Sequence, residues 1–137
     1  MLAPQLIEFP RLGSPDIGYI SVAEEGKVLP FVPRRVFWTY HTPEEIVRGR
    51  HAHYKSEHVL VAVAGRIVVV TEQADGQLQS FRLDSPHLGL YIPPSSWHSM
   101  HYAESAIQLT FASELYQEED YIRDYATFRA VWQPSKL

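Results

Sequence analysis

Three of the seven histidines in the chain lie close together, at positions 51, 53 and 58. In an extended strand, His51 and His53 project from the same face because side chains alternate with a period of two. An imidazole titrates near neutral pH, and it can also offer a ring nitrogen to a metal ion. The pair therefore suits either proton transfer or a metal site, and the residue types alone leave both possibilities open.

A second group of candidates follows two prolines, in residues 93–101. His98 and His101 either line the same pocket as the first histidines, or one of them faces inward and the other is an ordinary surface residue. Trp97 is a candidate for stacking on a ring of the ligand. An aromatic residue beside a proline turn is, however, more often a packing residue.

Two arginines and a tyrosine complete the candidates for substrate binding. Arg48 precedes the histidine pair and is suited to stabilising negative charge on an intermediate or to binding a phosphate. Arg35 opens a segment rich in aromatic and β-branched residues, where it either meets a phosphate or lies on a solvated edge. Tyr40 offers a phenol to a substrate or packs in the core. His41 and His87 fall in loops, where we expect them to be solvated.

Composition narrows the class of protein. The chain has 137 residues, 45% of them hydrophobic, which predicts a single domain over residues 1–137. The net charge of −4 without a dominant basic patch makes nucleic acid an unexpected partner. The chain has no cysteine, and we find neither a signal peptide nor an apolar run long enough to cross a membrane. We therefore expect a cytoplasmic protein with no membrane partner.

The pattern of apolar residues predicts about ten short strands separated by turn signals, among them residues 78–83 and 88–92. Gly65 lies between two of these strands and predicts a tight hairpin. Residues 98–102 and 106–112 are expected to be separate strands, and residues 118–132 carry apolar side chains at helical spacing. Many short antiparallel strands avoid bare edges by closing into a jelly roll or small barrel. We predict an all-β fold of this kind with a C-terminal helix.

The spacing of the candidate residues resembles known motifs. His51-x-His53, followed by His58 and Gly65, resembles the first motif of the cupins, and a proline five residues before His98 resembles the second. The first motif supplies residues from two predicted strands, and the second supplies a residue from a later one. These motifs by themselves identify a cupin and do not identify its reaction.

A narrower resemblance extends from about residue 17 to residue 128. Over this range the chain is similar to the dTDP-4-keto-6-deoxyglucose 3,4-ketoisomerases, small cupins that make precursors of unusual bacterial surface sugars. The matching segments are residues 35–36, 48–53, 84–86, 89–91, 97–101 and 120–125.

This resemblance implies a cupin double-stranded β-helix jelly roll and a homodimer that exchanges N-terminal strands. It implies an isomerase that moves the ketone of a dTDP-linked 4-keto-6-deoxy sugar from C4 to C3 through an enediol. The reaction would need no cofactor, and the products would serve O-antigen or S-layer glycan biosynthesis. His51 and His53 match the pair that lines the sugar pocket, so they are the expected acid–base pair.

The chain departs from the family pattern at three positions. Ile17 stands where the family often has arginine, Tyr54 where it usually has lysine, and His58 where it usually has glutamine. Four imidazoles suit Zn, Fe, Ni or Cu better than hard cations. Two alternatives therefore stay open: a non-catalytic cupin that binds a sugar nucleotide, and a metal-dependent cupin enzyme with the ligands His51, His53, His58 and His98.

Overall fold

The computed structural model describes residues 3–132, most of which lie in β-strands. A 3₁₀ turn over Glu118–Asp120 precedes the last strand, and helix α1, Tyr125–Trp132, follows it. The all-β class with a C-terminal helix is therefore confirmed. The strands of the described residues are β1 (Gln5–Glu8), β2 (Leu12–Ser14), β3 (Gly18–Ile20), β4 (Arg35–Thr39), β5 (Val47–His53), β6 (His58–Glu72), β7 (Leu78–Leu83), β8 (Leu88–Ile92), β9 (Trp97–Ala112) and β10 (Tyr121–Ile122).

Eight strands form one antiparallel sheet that curls into a roll. Its main path is β1-β8-β6-β9-β5-β10, with β4 beside β9 and β7 beside β6. The long strands β6 and β9 pair from His58 opposite Ala112 to Glu72 opposite Trp97, so they belong to both walls of the roll. The hairpin of β2 and β3 lies apart from this sheet. No helix in residues 3–132 is long and apolar enough to cross a membrane.

The predicted hairpin at Gly65 is wrong, because β6 continues through this residue. The register with β9 shifts on both sides of Ala64, and Gly65 has a φ of +70°. A Cβ at position 65 would lie 2.6 Å from the Cα of Ala106. The glycine therefore bends the strand at a bulge and does not reverse the chain. The two strands expected around residues 104 and 105 are likewise one strand, β9, which bends where Glu104 and Ser105 have positive φ.

The C-terminal helix begins seven residues later than the predicted residue 118. Tyr121 and Ile122 pair with His53 and Ala52 of β5, so this part of the helical pattern is extended. The carboxylate of Asp124 then accepts hydrogen bonds from the backbone N–H and the hydroxyl of Thr127, both at 2.9 Å, and caps the helix. Pairing with a distant strand has overridden the local periodicity.

Two apolar clusters lie on opposite faces of β6. His58, Leu60 and Ala62 alternate toward the interior of the roll, whereas Val59 and Val61 face the N-terminal segment. His58 therefore shares its face with the main core. The interior cluster comprises Leu60, Ala62, Ile67, Val69, Leu83, Leu90, Ile92, Met100, Tyr102 and Ala106.

Candidate active site

Four histidines from three strands meet on the inner face of the roll. His51 and His53 end β5, His58 begins β6, and His98 lies near the start of β9. Antiparallel pairing places His51 directly opposite His98, after a register shift that follows Gly49. His98 also pairs with the far end of β6, yet the curl of the sheet brings it to His58. The fold therefore assembles residues from the two sequence motifs into one cluster.

The rings of this histidine cluster touch one another. The centroid of His53 lies 4.4 Å from that of His58 and 5.0 Å from that of His51. His51 and His98 are 4.7 Å apart, and His58 and His98 are 6.4 Å apart. The four rings thus form one contiguous group.

Burial keeps all four imidazoles neutral. His53 and His58 are each 3% exposed and His98 is 1% exposed, whereas His51 keeps part of its ring at the surface. Burial, with the neighbouring His98, lowers the pKa of His51 to about 3. It also lowers the pKa values of His53, His58 and His98. A neutral ring has one nitrogen that accepts a proton and one that donates, which is the state that a general base requires.

Several buried polar atoms in the cluster have no hydrogen-bond partner among the described residues. They are Nδ1 of His51, both ring nitrogens of His53 and Nε of Arg35. Each buried polar group left without a partner costs about 1–3 kcal/mol. Proteins retain such atoms mainly where they serve a ligand or a reaction. This observation makes the cluster the candidate binding site.

Arg35 is the predicted arginine that the structure brings to the histidines. Its charge contributes to the lowered pKa values of His53 and His58. Its Cζ lies 4.8 Å from the ring centroid of Phe37 and 5.4 Å from that of Tyr116. The guanidinium is therefore held between aromatic rings at the edge of the cluster, where it can meet an anion.

Arg48 lies elsewhere. It is exposed and pairs with Met100, and its charge acts on Tyr102. Burial raises the pKa of Tyr102 to about 12, and the positive charge of Arg48 opposes that shift. The register shift between Gly49 and His51 places Arg48 opposite Met100 and His51 opposite His98, two residues apart along β9.

The remaining predicted binding residues are found at the periphery. Tyr40 is 54% exposed and its ring lies 5.0 Å from that of His41. Trp97 packs against Tyr125 and Phe128 of α1, with ring centroids 5.3 and 5.6 Å away. Of the two roles considered from sequence, these contacts agree with a packing residue. His101 is exposed, and the structure does not bring it into the cluster.

Sequence reasoning missed Tyr121, at the start of β10, and Asp120, at the end of the preceding 3₁₀ turn, which both lie against the histidines. The ring centroid of Tyr121 lies 4.5 Å from that of His53 and 5.1 Å from that of His51. The Cζ of Arg123 also lies 4.2 Å from the Tyr121 centroid. The Asp120 carboxylate lies 3.5 Å from His53. The similarity of residues 120–125 to the ketoisomerases was the only sequence signal for these residues.

Three of the four proposed metal ligands have the required proximity. Ligand atoms of His51, His53 and His98 all lie within 4.8 Å of one another. His58 is outside this group, and its Nε2 lies 3.3 Å from Oγ of Ser56. Zn–N bonds of about 2.0–2.1 Å place tetrahedral ligand atoms about 3.3 Å apart, so the rings would have to draw together around an ion. The residue types fit such an ion.

Comparison with known proteins gives a consistent family. Residues 3–133 match the family described as FdtA: WxcM-like, C-terminal. A protein of Aneurinibacillus thermoaerophilus, named TDP-4-oxo-6-deoxy-α-D-glucose-3,4-oxoisomerase, is 41% identical over 114 residues. That alignment covers 82% of this chain and 81% of the relative.

Solved structures of similar proteins share the fold. QdtA, a sugar 3,4-ketoisomerase from Thermoanaerobacterium thermosaccharolyticum in complex with TDP, superposes with a TM-score of 0.89 at 30% identity, covering 96% of this chain and 95% of QdtA. A histidine-to-asparagine variant of QdtA, in complex with TDP-4-keto-6-deoxyglucose, gives a TM-score of 0.91 at 29% identity, covering 100% and 99%. WlaRA, a TDP-fucose-3,4-ketoisomerase from Campylobacter jejuni, gives 0.88 at 25% identity, covering 95% and 96%.

Proposed function

The chain belongs to the FdtA family of TDP-sugar 3,4-ketoisomerases, and we propose that His51 and His53 are the acid–base pair with which it moves the ketone of a dTDP-4-keto-6-deoxyhexose from C4 to C3. The observation that carries this proposal is the cluster of neutral, touching imidazoles on the inner face of the roll. A QdtA variant with the same fold binds TDP-4-keto-6-deoxyglucose, which supports the same class of substrate here.

The reaction needs only proton transfers. A neutral imidazole removes the proton from C3, and the electrons of that C–H bond form the C3–C4 double bond of an enediolate. A protonated group then delivers a proton to C4, while the hydroxyl on O3 loses its proton and O4 gains one. The product is an isomer, so atoms and electrons balance without a redox partner. His51, the partly exposed ring, is placed to reach the sugar first, with His53 directly behind it.

Negative charge develops on the sugar oxygens in the enediolate. Arg35 is a cation close to this event, because its charge acts on His53 and His58 and its Nε has no partner among the described residues. We therefore assign Arg35 either to the enediolate or to the diphosphate of the substrate. Tyr121 would form a wall of the same pocket, since its ring contacts both catalytic histidines.

Isotope exchange tests the proposal. The protein is incubated with dTDP-4-keto-6-deoxyglucose in deuterated water and the sugar is followed by NMR. We expect a 3-keto product with solvent deuterium at C4, and deuterium at C3 of recovered substrate if the first step reverses. The absence of both the product and the exchange would contradict the proposal. Binding of dTDP in calorimetry without any turnover would instead indicate the non-catalytic alternative.

A metal-dependent enzyme is the second candidate, because ligand atoms of His51, His53 and His98 lie within 4.8 Å of one another. Elemental analysis of protein purified without a histidine tag separates the two candidates. A stoichiometric transition metal, with activity lost to a chelator and restored by the metal, would favour this candidate. Activity that survives complete removal of metal would contradict it.

We also propose the homodimer with exchanged N-terminal strands. Val36 and Trp38 alternate along one face of β4, and Tyr40 follows the strand directly; they are 46%, 60% and 54% exposed. Large exposed apolar side chains in a row are typical of a protein interface. In the structure, β1 pairs with β8 of its own chain; in the exchanged dimer, the partner's β1 would take that place. Light scattering should give the dimer mass, and Trp38→Glu should shift it toward the monomer.

The other two sequence-based expectations remain predictions. The single domain over residues 1–137 awaits limited proteolysis of the purified protein. The cytoplasmic location awaits fractionation of cells that produce it.

A further inference from the structure

Asp120 is an acidic side chain that contacts the histidine cluster. Its side chain is 9% exposed, and its Oδ2 lies 3.5 Å from Nδ1 of His53, which is 3% exposed. The remaining ring contacts of His53 among the described residues are aromatic, to neighbouring histidines and Tyr121. The Asp120 carboxylate is thus a charged acceptor close to Nδ1.

The position of Asp120 is fixed by the backbone that follows His53. Oδ1 accepts a hydrogen bond from the N–H of Lys55 at 2.7 Å, and Oδ2 accepts one from the N–H of Ser56 at 3.1 Å. The carbonyl of Asp120 accepts a third, from the N–H of Tyr54, at 2.9 Å. These contacts join the segment before β10 to the chain after β5. The carboxylate therefore cannot turn away from His53 without losing them.

A carboxylate only accepts hydrogen bonds, and this decides which nitrogen of His53 carries the proton. With the hydrogen on Nδ1, the ring donates toward Oδ2. With the hydrogen on Nε2, the Nδ1 lone pair would face the negative carboxylate at 3.5 Å, which is unfavourable. The separation exceeds an ordinary hydrogen bond, and contacts of this kind commonly shorten when substrate binds.

We propose that Asp120 is a positioning residue that holds His53 in the Nδ1–H tautomer, so that Nε2 is the nitrogen that exchanges protons during the reaction. This inference rests on the proposed function of His53 as an acid–base residue.

The tautomer can be read directly in the unaltered protein. Histidine is labelled with ¹⁵N, and long-range ¹H–¹⁵N correlation spectra are recorded at pH 7.5, with the His53 signals assigned by their loss in His53→Asn. We expect a protonated Nδ1 and an unprotonated Nε2. A His53 ring that is protonated on Nε2 would overturn the proposal. The protonation itself is measured in the wild-type protein, and His53→Asn serves only to assign the signals.

The variant Asp120→Asn then tests whether Asp120 determines the tautomer of His53. Asparagine keeps one oxygen for the backbone N–H groups, but its amide can donate toward Nδ1 and thereby favour the opposite tautomer. The matched control is Asp124→Asn, four residues later, which alters the cap of α1 and not the site. We expect the tautomer of His53 to invert only in Asp120→Asn, with thermal melts confirming that both variants are folded.

Kinetics completes the test. In Asp120→Asn we expect kcat to fall roughly 10²-fold, which is in the range for a misoriented acid–base residue, with KM changed less than about threefold. An active wild-type enzyme whose Asp120→Asn variant keeps the wild-type kcat would overturn the proposal. A wild-type protein that isomerises no TDP-4-keto sugar would instead show that the proposed function itself fails.

Discussion

The interior of the roll has two parts that the same strands build and that differ in chemistry. On β6, His58 belongs to the histidine cluster, whereas Ile67 is fully buried in the interior apolar cluster. On β9, His98 belongs to the histidine cluster and Met100 to the apolar cluster. The apolar cluster gains free energy from burial, at about 25 cal/mol for each Å² removed from water. The histidine cluster contains buried polar atoms without hydrogen-bond partners.

This difference shows how the fold divides stability from function. The apolar part fixes the curvature of β6 and β9, and that curvature holds the histidines together although their polar atoms are poorly satisfied. Buried polar atoms without hydrogen-bond partners do not stabilise the folded chain. They lower the barrier of a reaction when a substrate provides their missing partners. Changes in the two parts should therefore have separable effects on activity and on stability.

The largest effect is expected from His51→Asn and His53→Asn. Asparagine keeps a polar group but cannot titrate near pH 7, so each variant should lose about 10²–10⁴-fold in kcat. KM should change far less, and the melting temperature should stay near that of the wild type. The matched control is His41→Asn, because His41 is exposed and asparagine tolerates its φ of 60°. Equal losses in the control would contradict the assignment.

A change in the apolar part should do the reverse. Ile67→Ala removes a fully buried side chain that lies opposite Leu83 and Tyr102 on the neighbouring strands. We expect the free energy of unfolding to fall by about 2–5 kcal/mol in urea titrations. The folded fraction at low temperature should keep a kcat within about threefold of the wild type. A kcat loss as large as that of the histidine variants would show that the two parts are not separable.

Acid should destabilise the histidine part before the apolar part. The pKa values of His53, His58 and His98 are lowered in the folded chain and are near 6.5 in the unfolded chain. The unfolded state therefore binds more protons below pH 6.5, so stability is complete above that pH and falls as the pH decreases. The slope is about 1.4 kcal/mol per pH unit for each histidine that stays neutral. Urea titrations at pH 7.5 and pH 5 give the free energy of unfolding at each pH. We expect this free energy to fall less between the two pH values in His53→Asn than in the wild type, and equal decreases would contradict this account.

The two arginines should differ in KM. Lysine keeps the charge but loses the planar fork that binds a phosphate or enediolate through two hydrogen bonds. Arg35→Lys should raise KM roughly tenfold, since Arg35 lies beside the cluster, and Arg48→Lys should change KM less than about threefold. Steady-state kinetics of the two variants shows which arginine contributes more to substrate binding. A larger rise in KM for Arg48→Lys than for Arg35→Lys would favour the sequence-based prediction that Arg48 binds the substrate.

The smallest effect is expected from His58→Gln, which installs the residue that the ketoisomerases usually carry. His58 is 3% exposed and lies behind His53, so a metal-free isomerase should keep its kcat within about threefold. A metal enzyme that needs His58 would lose its metal and its activity together. Elemental analysis and turnover of the same sample distinguish these outcomes.

The sequence was sufficient for the family, the all-β class, the C-terminal helix and several strands. The bounds of β7 and β8 agree with the segments predicted at residues 78–83 and 88–92. The alternation of side chains also placed His51 and His53 on one face, and their rings do lie 5.0 Å apart. These features depend on local periodicity and on a strong motif, and both can be read along the chain.

The tertiary structure decided what distant segments contribute. Gly65 marks a bulge and not a turn, because β9 continues to pair with β6 on both sides of it. Asp120 and Tyr121 reach His53 from more than 60 residues away, through the pairing of β10 with β5. Arg48 pairs with Met100 and its charge acts on Tyr102, whereas the curl of the sheet brings Arg35 to the histidines. Strand pairing and curvature depend on contacts across the whole chain, so the local pattern could not specify them.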